Sequence, residues 1–461
     1  MTSSTTPTAP RKLTRARKLL LAAAIVLVVV IGGAVAAYWY ERPMLLTGTG
    51  YAAHNACALH EIAGRDDASD DLPPNPLVPV LRSEITDDGT AAKASILGVL
   101  APQKAWANPG YGCTVADKPP TGLPSPTTVS AANNPYTSLP LTTSTDDAVT
   151  AALADGFGDD LAADDRADLG TRGVVVLQDG KLVAERYADG FSATTPQLGW
   201  SMTKSVTNLL VGRLVEQGKV GLDDDHLRPE WTDDRADITI RELMQMTSGL
   251  SWDETYDLGT PITQMLYGEP DMAGYVASQK LAHTPGSYLQ YSSGSTTLLC
   301  SVVTQDDGGA DAPRREVFAP LGLSSATLEV DGVGTPVCGS YMWATPRDWA
   351  TVGELALQDG VWDGTKLLPT GWMAQSTQAV DTTVEEGSDG YASGWWSNTR
   401  ADGSVIDDRL PADTYYADGH DGQYVIVVPS QKLVVARLGF TPTRDDDRVM
   451  TMTSELVDAL G

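Results

Sequence analysis

Two pairs of apolar runs, set far apart along the chain, limit the folds open to it. The first pair is Gly173-Val174-Val175-Val176-Leu177 and Leu182-Val183-Ala184, with Gln178-Asp179-Gly180-Lys181 between them. The second is Tyr424-Val425-Ile426-Val427-Val428 and Leu433-Val434-Val435-Ala436-Arg437-Leu438, joined through Pro429-Ser430-Gln431-Lys432. β-Branched runs on either side of a turn segment read as hairpins. The stretch between the pairs reads as helix and loop. Helices are expected over 239–247, opening at Thr239, and over 346–358, with Pro346 near the start. Strands at both ends with helices between them predict an α/β (α+β) domain over 144–461. Its antiparallel sheet is built from both ends of the domain, flanked by helices, with a mainly helical lobe inserted.

Ser201-Met202-Thr203-Lys204 stands where one such helix begins. Residues i and i+3 share a helix face, so the hydroxyl and the amine can meet. A serine hydroxyl needs a neighbouring base to become a nucleophile, and an amine serves only if burial or other cations lower its pKa. Ser-x-x-Lys is thus the smallest parts list for serine acyl transfer without a catalytic histidine. A chance match is expected about once in a chain of this length. Of all the lysines, however, only Lys204 has a serine three residues before it. Val206, Leu209, Leu210, Leu214 and Val215 follow at near-helical spacing, and Gly218 offers a stop. Ser201 would then sit at a helix N-terminus, where developing negative charge is favoured. The plainer reading is an N-capping serine followed by a solvated lysine.

The N-terminus places these parts relative to a membrane. Arg11, Lys12, Arg15, Arg17 and Lys18 precede an uncharged apolar run, Leu19 to Ala37, and Tyr38-Trp39-Tyr40 follow it. Such a run can span a bilayer, with its basic end in the cytoplasm and its aromatic residues at the far interface. Residues 1–18 therefore read as a cytoplasmic tail and 19–40 as a transmembrane signal anchor. Cleavage near Ala34-Val35-Ala36 would instead release a secreted protein. Residues 41–143 form an exported segment whose last part, 119–143, is a Pro/Thr/Ser/Asn-rich linker or arm. Four cysteines suit an exported chain, and Cys57 with Cys113 and Cys300 with Cys338 is the simplest of three pairings. His54, Cys57 and His60 match no metal-site spacing. A formal net charge of −28, spread over many Asp-rich loops, argues against nucleic acid as a partner.

Two later stretches can complete a catalytic set. Tyr291-Ser292-Ser293-Gly294 lies in a polar loop before Leu298-Leu299, and a tyrosine can relay protons if cations lower its pKa. Gly419-His420-Asp421-Gly422-Gln423 precedes the penultimate strand, where backbone N–H groups could meet an oxyanion. Taken alone, each is more simply a turn. Asp253, Glu254 and Tyr256 read as a solvated loop, and Trp395, Trp396 and Tyr341 as core. No Gly-x-Ser-x-Gly elbow occurs.

In this order the three motifs resemble the serine beta-lactamase and penicillin-recognising family, and within it the class C-like hydrolases that include aminohexanoate-dimer hydrolase and related esterases. Gly199-Trp200-Ser201-Met202-Thr203-Lys204-Ser205, Ile240 to Leu250 and Pro320-Leu321-Gly322-Leu323 are phrases of the same kind. The resemblance covers roughly residues 145–440. It implies a beta-lactamase/transpeptidase-like fold, which the one N-terminal transmembrane helix read above precedes. By the same resemblance, Ser201 attacks the carbonyl, Lys204 helps take its proton and Tyr291 shuttles it to the leaving group. The N–H groups of Ser201 and Gln423 form the oxyanion hole. His420, Gly422 and Ser293 line the substrate site, and neither metal nor organic cofactor is needed. His420 replaces the usual lysine and Ser293 the asparagine of lactamases, which favours small, weakly charged amides or esters. The rival readings are a D-peptidase or beta-lactamase acting on cell-wall-like ligands, and a non-catalytic binding protein on the same scaffold.

Overall fold

The computed structural model describes residues 14–65, 71–442 and 446–461. Arg11 and Lys12 of the basic cluster lie outside them. Helix α1, Arg15–Glu61, contains the apolar run and is the one helix among the described residues long and apolar enough to cross a bilayer. It does not stop at the expected boundary near residue 40. It continues past Pro43 into a buried stretch, Thr47 to Leu59.

A four-stranded antiparallel sheet packs along that buried stretch. Its strands are β1 (Leu81–Thr86), β2 (Ala91–Ile96), β3 (Leu100–Asn108) and β4 (Gly112–Val115), in that order. Ala52, Ala53 and Ala56 of the helix meet Ala92, Ala94, Ala101 and Ala105 of the sheet, and small side chains let the layers approach closely. A Cys57–Cys113 disulfide joins helix to sheet. This module is not a free stalk. The buried Glu329 carboxylate of the following domain accepts from Cys113 N at 2.7 Å and Trp343 Nε1 at 2.6 Å, and pairs with His54 Nε2 at 3.0 Å. The 119–143 arm is also strapped down. Arg347 donates to the carbonyls of Tyr136 at 2.9 Å and Leu139 at 2.8 Å while pairing with Glu185.

The main domain contains helices α2 (Asp147–Gly156), α3 (Met202–Glu216), α4 (Ser293–Gln305), α5 (Pro346–Leu357) and α6 (Asp446–Leu460). Its six-stranded sheet uses β5 (Thr171–Gln178), β6 (Lys181–Tyr187), β7 (Trp396–Ser397), β8 (Tyr415–Gly419), β9 (Gln423–Val428) and β10 (Leu433–Gly439). The order is β7-β8-β9-β10-β5-β6, all antiparallel, with Val435 opposite Val176. Both ends of the domain therefore meet in one sheet, as its two apolar hairpins predict. Asp179 and Gly180 both take positive φ, 49° and 69°, the hairpin turn that Asp-Gly favours.

Strand side chains alternate between faces. Val174 and Val176 pack with Val149, Leu153, Met452 and Leu456 of α2 and α6. Val175 and Leu177 pack on the opposite face, in the core that includes α3 and α5. The 239–247 helix is shorter than expected, Ile240–Met244, and opens with a Thr239–Glu242 capping box. The 346–358 helix closes one residue early, with Thr345 as N-cap and Pro346 in its first turn.

Candidate active site

Ser201 is the N-cap residue of α3, but its side chain makes no capping bond. Its hydroxyl instead accepts from Lys204 Nζ at 2.8 Å, so the capping reading fails. Trp200, just before it, has φ 48°, a conformation costly for a bulky residue and common where a site over-determines the backbone. The N–H groups of Met202, Thr203 and Lys204 bond the carbonyls of Gly199, Trp200 and Ser201. No carbonyl among the described residues accepts from the Ser201 N–H.

Lys204 is 2% exposed. Its remaining two donors reach Ser293 Oγ at 2.7 Å and the Gly339 carbonyl at 2.8 Å. Burial pulls its pKa from 10.5 down to about 8, against the opposing charges of Glu254 and Asp418. The solvated-lysine alternative is therefore excluded. Tyr291 lies just ahead of α4, with Lys204 Nζ 4.9 Å from its ring centroid. Burial, with Tyr391 and Glu254 nearby, raises its pKa well above the ordinary value. The expected lowering by cations does not occur, and Tyr291 remains a neutral phenol.

Ser293 does not line an open substrate surface. It is buried between Lys204 and Glu254, donating its hydroxyl to one carboxylate oxygen of Glu254 and its N–H to the other at 2.9 Å. Trp252 Nε1 holds that second oxygen at 2.6 Å. Glu254, read from sequence as part of a solvated loop, is thus the carboxylate behind the lysine. Its one sequence cue was closeness to the Thr247-Ser248-Gly249-Leu250 phrase. Gly339 gave no cue of its own, yet Cys338 beside it is bound to Cys300 on α4, which fixes the carbonyl that Lys204 uses.

The third motif is placed differently from expectation at one position. Gln423 opens β9, an interior strand flanked by β8 and β10, and pairs with Gly419 across the turn. Its carboxamide donates to Asp421 O at 2.9 Å and Gly439 O at 2.8 Å and accepts from Gly439 N at 2.9 Å. The tight turn over 420–422 returns the chain to the sheet before Gln423, so its N–H faces neighbouring strands and not the cleft. Gly422, φ 82°, belongs to that turn, and buried Arg437 holds its carbonyl at 2.6 Å.

The cleft edge is instead β8. Strand β7 covers it only at Tyr415 and Tyr416. At Gly419 a Cβ would lie 2.2 Å from the Gly199 carbonyl, so only glycine permits this approach to the nucleophile turn. No carbonyl among the described residues accepts from the His420 N–H. The His420 ring stacks on Tyr256 at 4.4 Å and meets Trp200 edge-on at 5.7 Å.

These three rings face a cavity of about 290 Å³ whose opposite wall belongs to the N-terminal module. Thr47, Gly48 and Tyr51 of α1 line it, and Tyr51 lies parallel to Trp200 at 6.3 Å. Asp257 and Asp421 also line it, with no lysine or arginine. Trp395 and Tyr341 are buried as expected, while Trp396 packs on Tyr291 at 5.4 Å.

The beta-lactamase family profile matches residues 159–456. The 6-aminohexanoate-dimer hydrolase of Paenarthrobacter ureafaciens is 24% identical over 306 residues, 60% of this chain and 74% of that protein. Protein flp of Staphylococcus aureus is 24% identical over 262 residues, and the match spans 49% of this chain and about half, 52%, of flp. Among solved structures, a penicillin-binding protein homolog from Caulobacter crescentus superimposes with a TM-score of 0.53 at 18% identity, covering 70% of this chain and all of that one. A family VIII carboxylesterase superimposes with a TM-score of 0.51 at 15% identity, covering 69% and 98%. At such identities the likeness is one of fold.

Proposed function

The chain belongs to the beta-lactamase family, and from that premise we propose that it is a membrane-anchored, extracytoplasmic serine hydrolase of small amides or esters. The observation that carries this reading is a buried Lys204, with its pKa drawn down to about 8, donating to Ser201 Oγ at 2.8 Å. In the neutral form, Lys204 takes the Ser201 proton as Oγ bonds to the substrate carbonyl carbon. Negative charge gathers on the carbonyl oxygen, where the uncommitted N–H groups of Ser201 and His420 can receive it. Collapse breaks the bond to the leaving amine or alcohol. The departing group takes its proton from Tyr291, which is resupplied by Lys204, and water then releases the acyl group by the reverse relay.

The cavity favours substrates without a carboxylate. Two aspartates and no cation line it, and His420 stands where a lysine would pair with an anion. Relatives named for an aminohexanoate dimer and a carboxylesterase fit amide or ester chemistry. Anchoring is supported by the continuity of α1, because cleavage near residue 36 would cut it in mid-helix. Two disulfides suit an oxidising compartment.

The test is a fluorophosphonate probe on the full chain, with the label located by peptide mass spectrometry. Labelling at Ser201 that is absent in Ser201→Ala and weak in Lys204→Ala is expected. Folded protein that takes no label would overturn the hydrolase reading in favour of a binding role. Faster turnover of a chromogenic cephalosporin than of a short-chain nitrophenyl ester would replace the substrate class with the lactamase or D-peptidase alternative.

A further inference from the structure

The hairpin between β2 and β3 ends in Leu97-Gly98-Val99-Leu100, an apolar tip on an acidic, polar protein. Leu97 is 62% exposed, Val99 74% and Leu100 39%. Among the described residues, no other loop exposes three large apolar side chains within four positions. A Cβ added at Gly98 would meet nothing within 4 Å, so the tip projects into open space.

Its height relative to the apolar span is fixed by two contacts. Ala101 N, just inside the tip, donates to the Tyr38 hydroxyl at 3.1 Å. At the other end of β3, Ala107 lies opposite Cys113, which is bonded to Cys57. Strand β3 therefore runs alongside α1 from the level of Cys57 down to that of Tyr38, and the tip is the end nearest the apolar run. The nineteen residues of that run, Leu19 to Ala37, rise about 28 Å as helix, close to the thickness of a bilayer core. Tyr38 is the first residue beyond it, at the level where an interfacial tyrosine sits.

We infer that the Leu97–Leu100 tip dips into the outer leaflet beside α1, as a second membrane contact. This rests on α1 being a membrane span. A single helix leaves a domain free to swing about its exit point, whereas two contacts set its tilt. With both in place, the cavity lined by Thr47, Gly48 and Tyr51 is held at a fixed orientation to the bilayer.

All four native cysteines are in disulfides, so one introduced thiol labels cleanly. Full-length Val99→Cys, carrying the polarity-sensitive fluorophore NBD, would be reconstituted in phosphatidylcholine vesicles containing lipid spin-labelled high on its acyl chain, with a parallel sample spin-labelled near the chain end to quench the middle of the span. Val29→Cys, within the span, and Asp88→Cys, in the turn at the opposite end of the sheet, are the references. Quenching of Val99→Cys several-fold above Asp88→Cys is expected. The unlabelled Val99→Cys thiol should also react at least about tenfold more slowly with a charged maleimide than the Asp88→Cys thiol in the same vesicles, which rules out the dye drawing the tip inward. Quenching at the Asp88 level while Val29→Cys is quenched overturns the inference alone. A blue-shifted Val99 label that lipid spin labels do not quench assigns the tip to a protein contact and overturns it too. If Val29→Cys itself escapes quenching, the anchor reading fails and the inference with it.

Discussion

If neutral Lys204 is the base, turnover should follow its protonation. With a pKa of about 8, in place of 10.5 for a solvated lysine, roughly one chain in ten holds the neutral amine at pH 7 and roughly nine in ten at pH 9. For a neutral nitrophenyl ester, kcat/KM should climb close to tenfold per pH unit between about pH 6 and 7 and level off above about pH 9. An unshifted lysine would still be climbing there. The assay is initial rate against pH, with Ser201→Ala at each pH as the blank for spontaneous hydrolysis. Glu254→Gln provides a signed check. Its carboxylate raises the Lys204 pKa, so removing the charge should move the limb to lower pH. A flat profile between pH 6 and 9, a limb that survives in Lys204→Ala, or a limb moved upward by Glu254→Gln would refute the assignment.

Other consequences are as specific. Gly419→Ala should fold yet lose about a hundredfold in kcat/KM, because its Cβ would force the cleft edge away from Gly199, and circular dichroism beside the rate would separate this from unfolding. Cys300→Ser with Cys338→Ser should cost about 3–4 kcal/mol in urea unfolding, since the disulfide closes a 38-residue separation. It should also slow turnover by freeing the Gly339 carbonyl from its place under Lys204. Tyr51→Ala removes a ring parallel to Trp200 and should weaken the KM for a short ester about fivefold, the equivalent of about 1 kcal/mol, while leaving Ser201 open to the fluorophosphonate probe.

What the sequence made legible was local or periodic. The hairpins announced themselves through apolar runs around Asp179-Gly180 and Pro429 to Lys432, and the sheet joined both ends of the domain as they require. The Ser201–Lys204 meeting follows from helix geometry alone. What stayed hidden depended on where the chain returns. Whether Gln423 faces the cleft or the sheet turns on a reversal over three residues, which the motif spacing does not encode. Glu254 lies among other acidic residues, and only its distant meeting with Ser293 separates it from a solvated carboxylate. The alanines of α1 gave no sign of the sheet they pack against, so whether the segment 41–143 packs on the hydrolase domain, forms a stalk or binds a partner stayed open.

The joining of both ends in one sheet also governs when a chain becomes reactive. Val176 must wait for Val435, and at roughly 5–20 residues per second of synthesis that interval is about 13–50 s. Throughout it the chain already carries Ser201 and Lys204, but not the strand that brings Gly419 against Gly199. A fragment ending before residue 415 lacks both the centre of the sheet and the cleft edge. The nucleophile is therefore armed last, and broken or unfinished chains carry a serine with nothing to direct it.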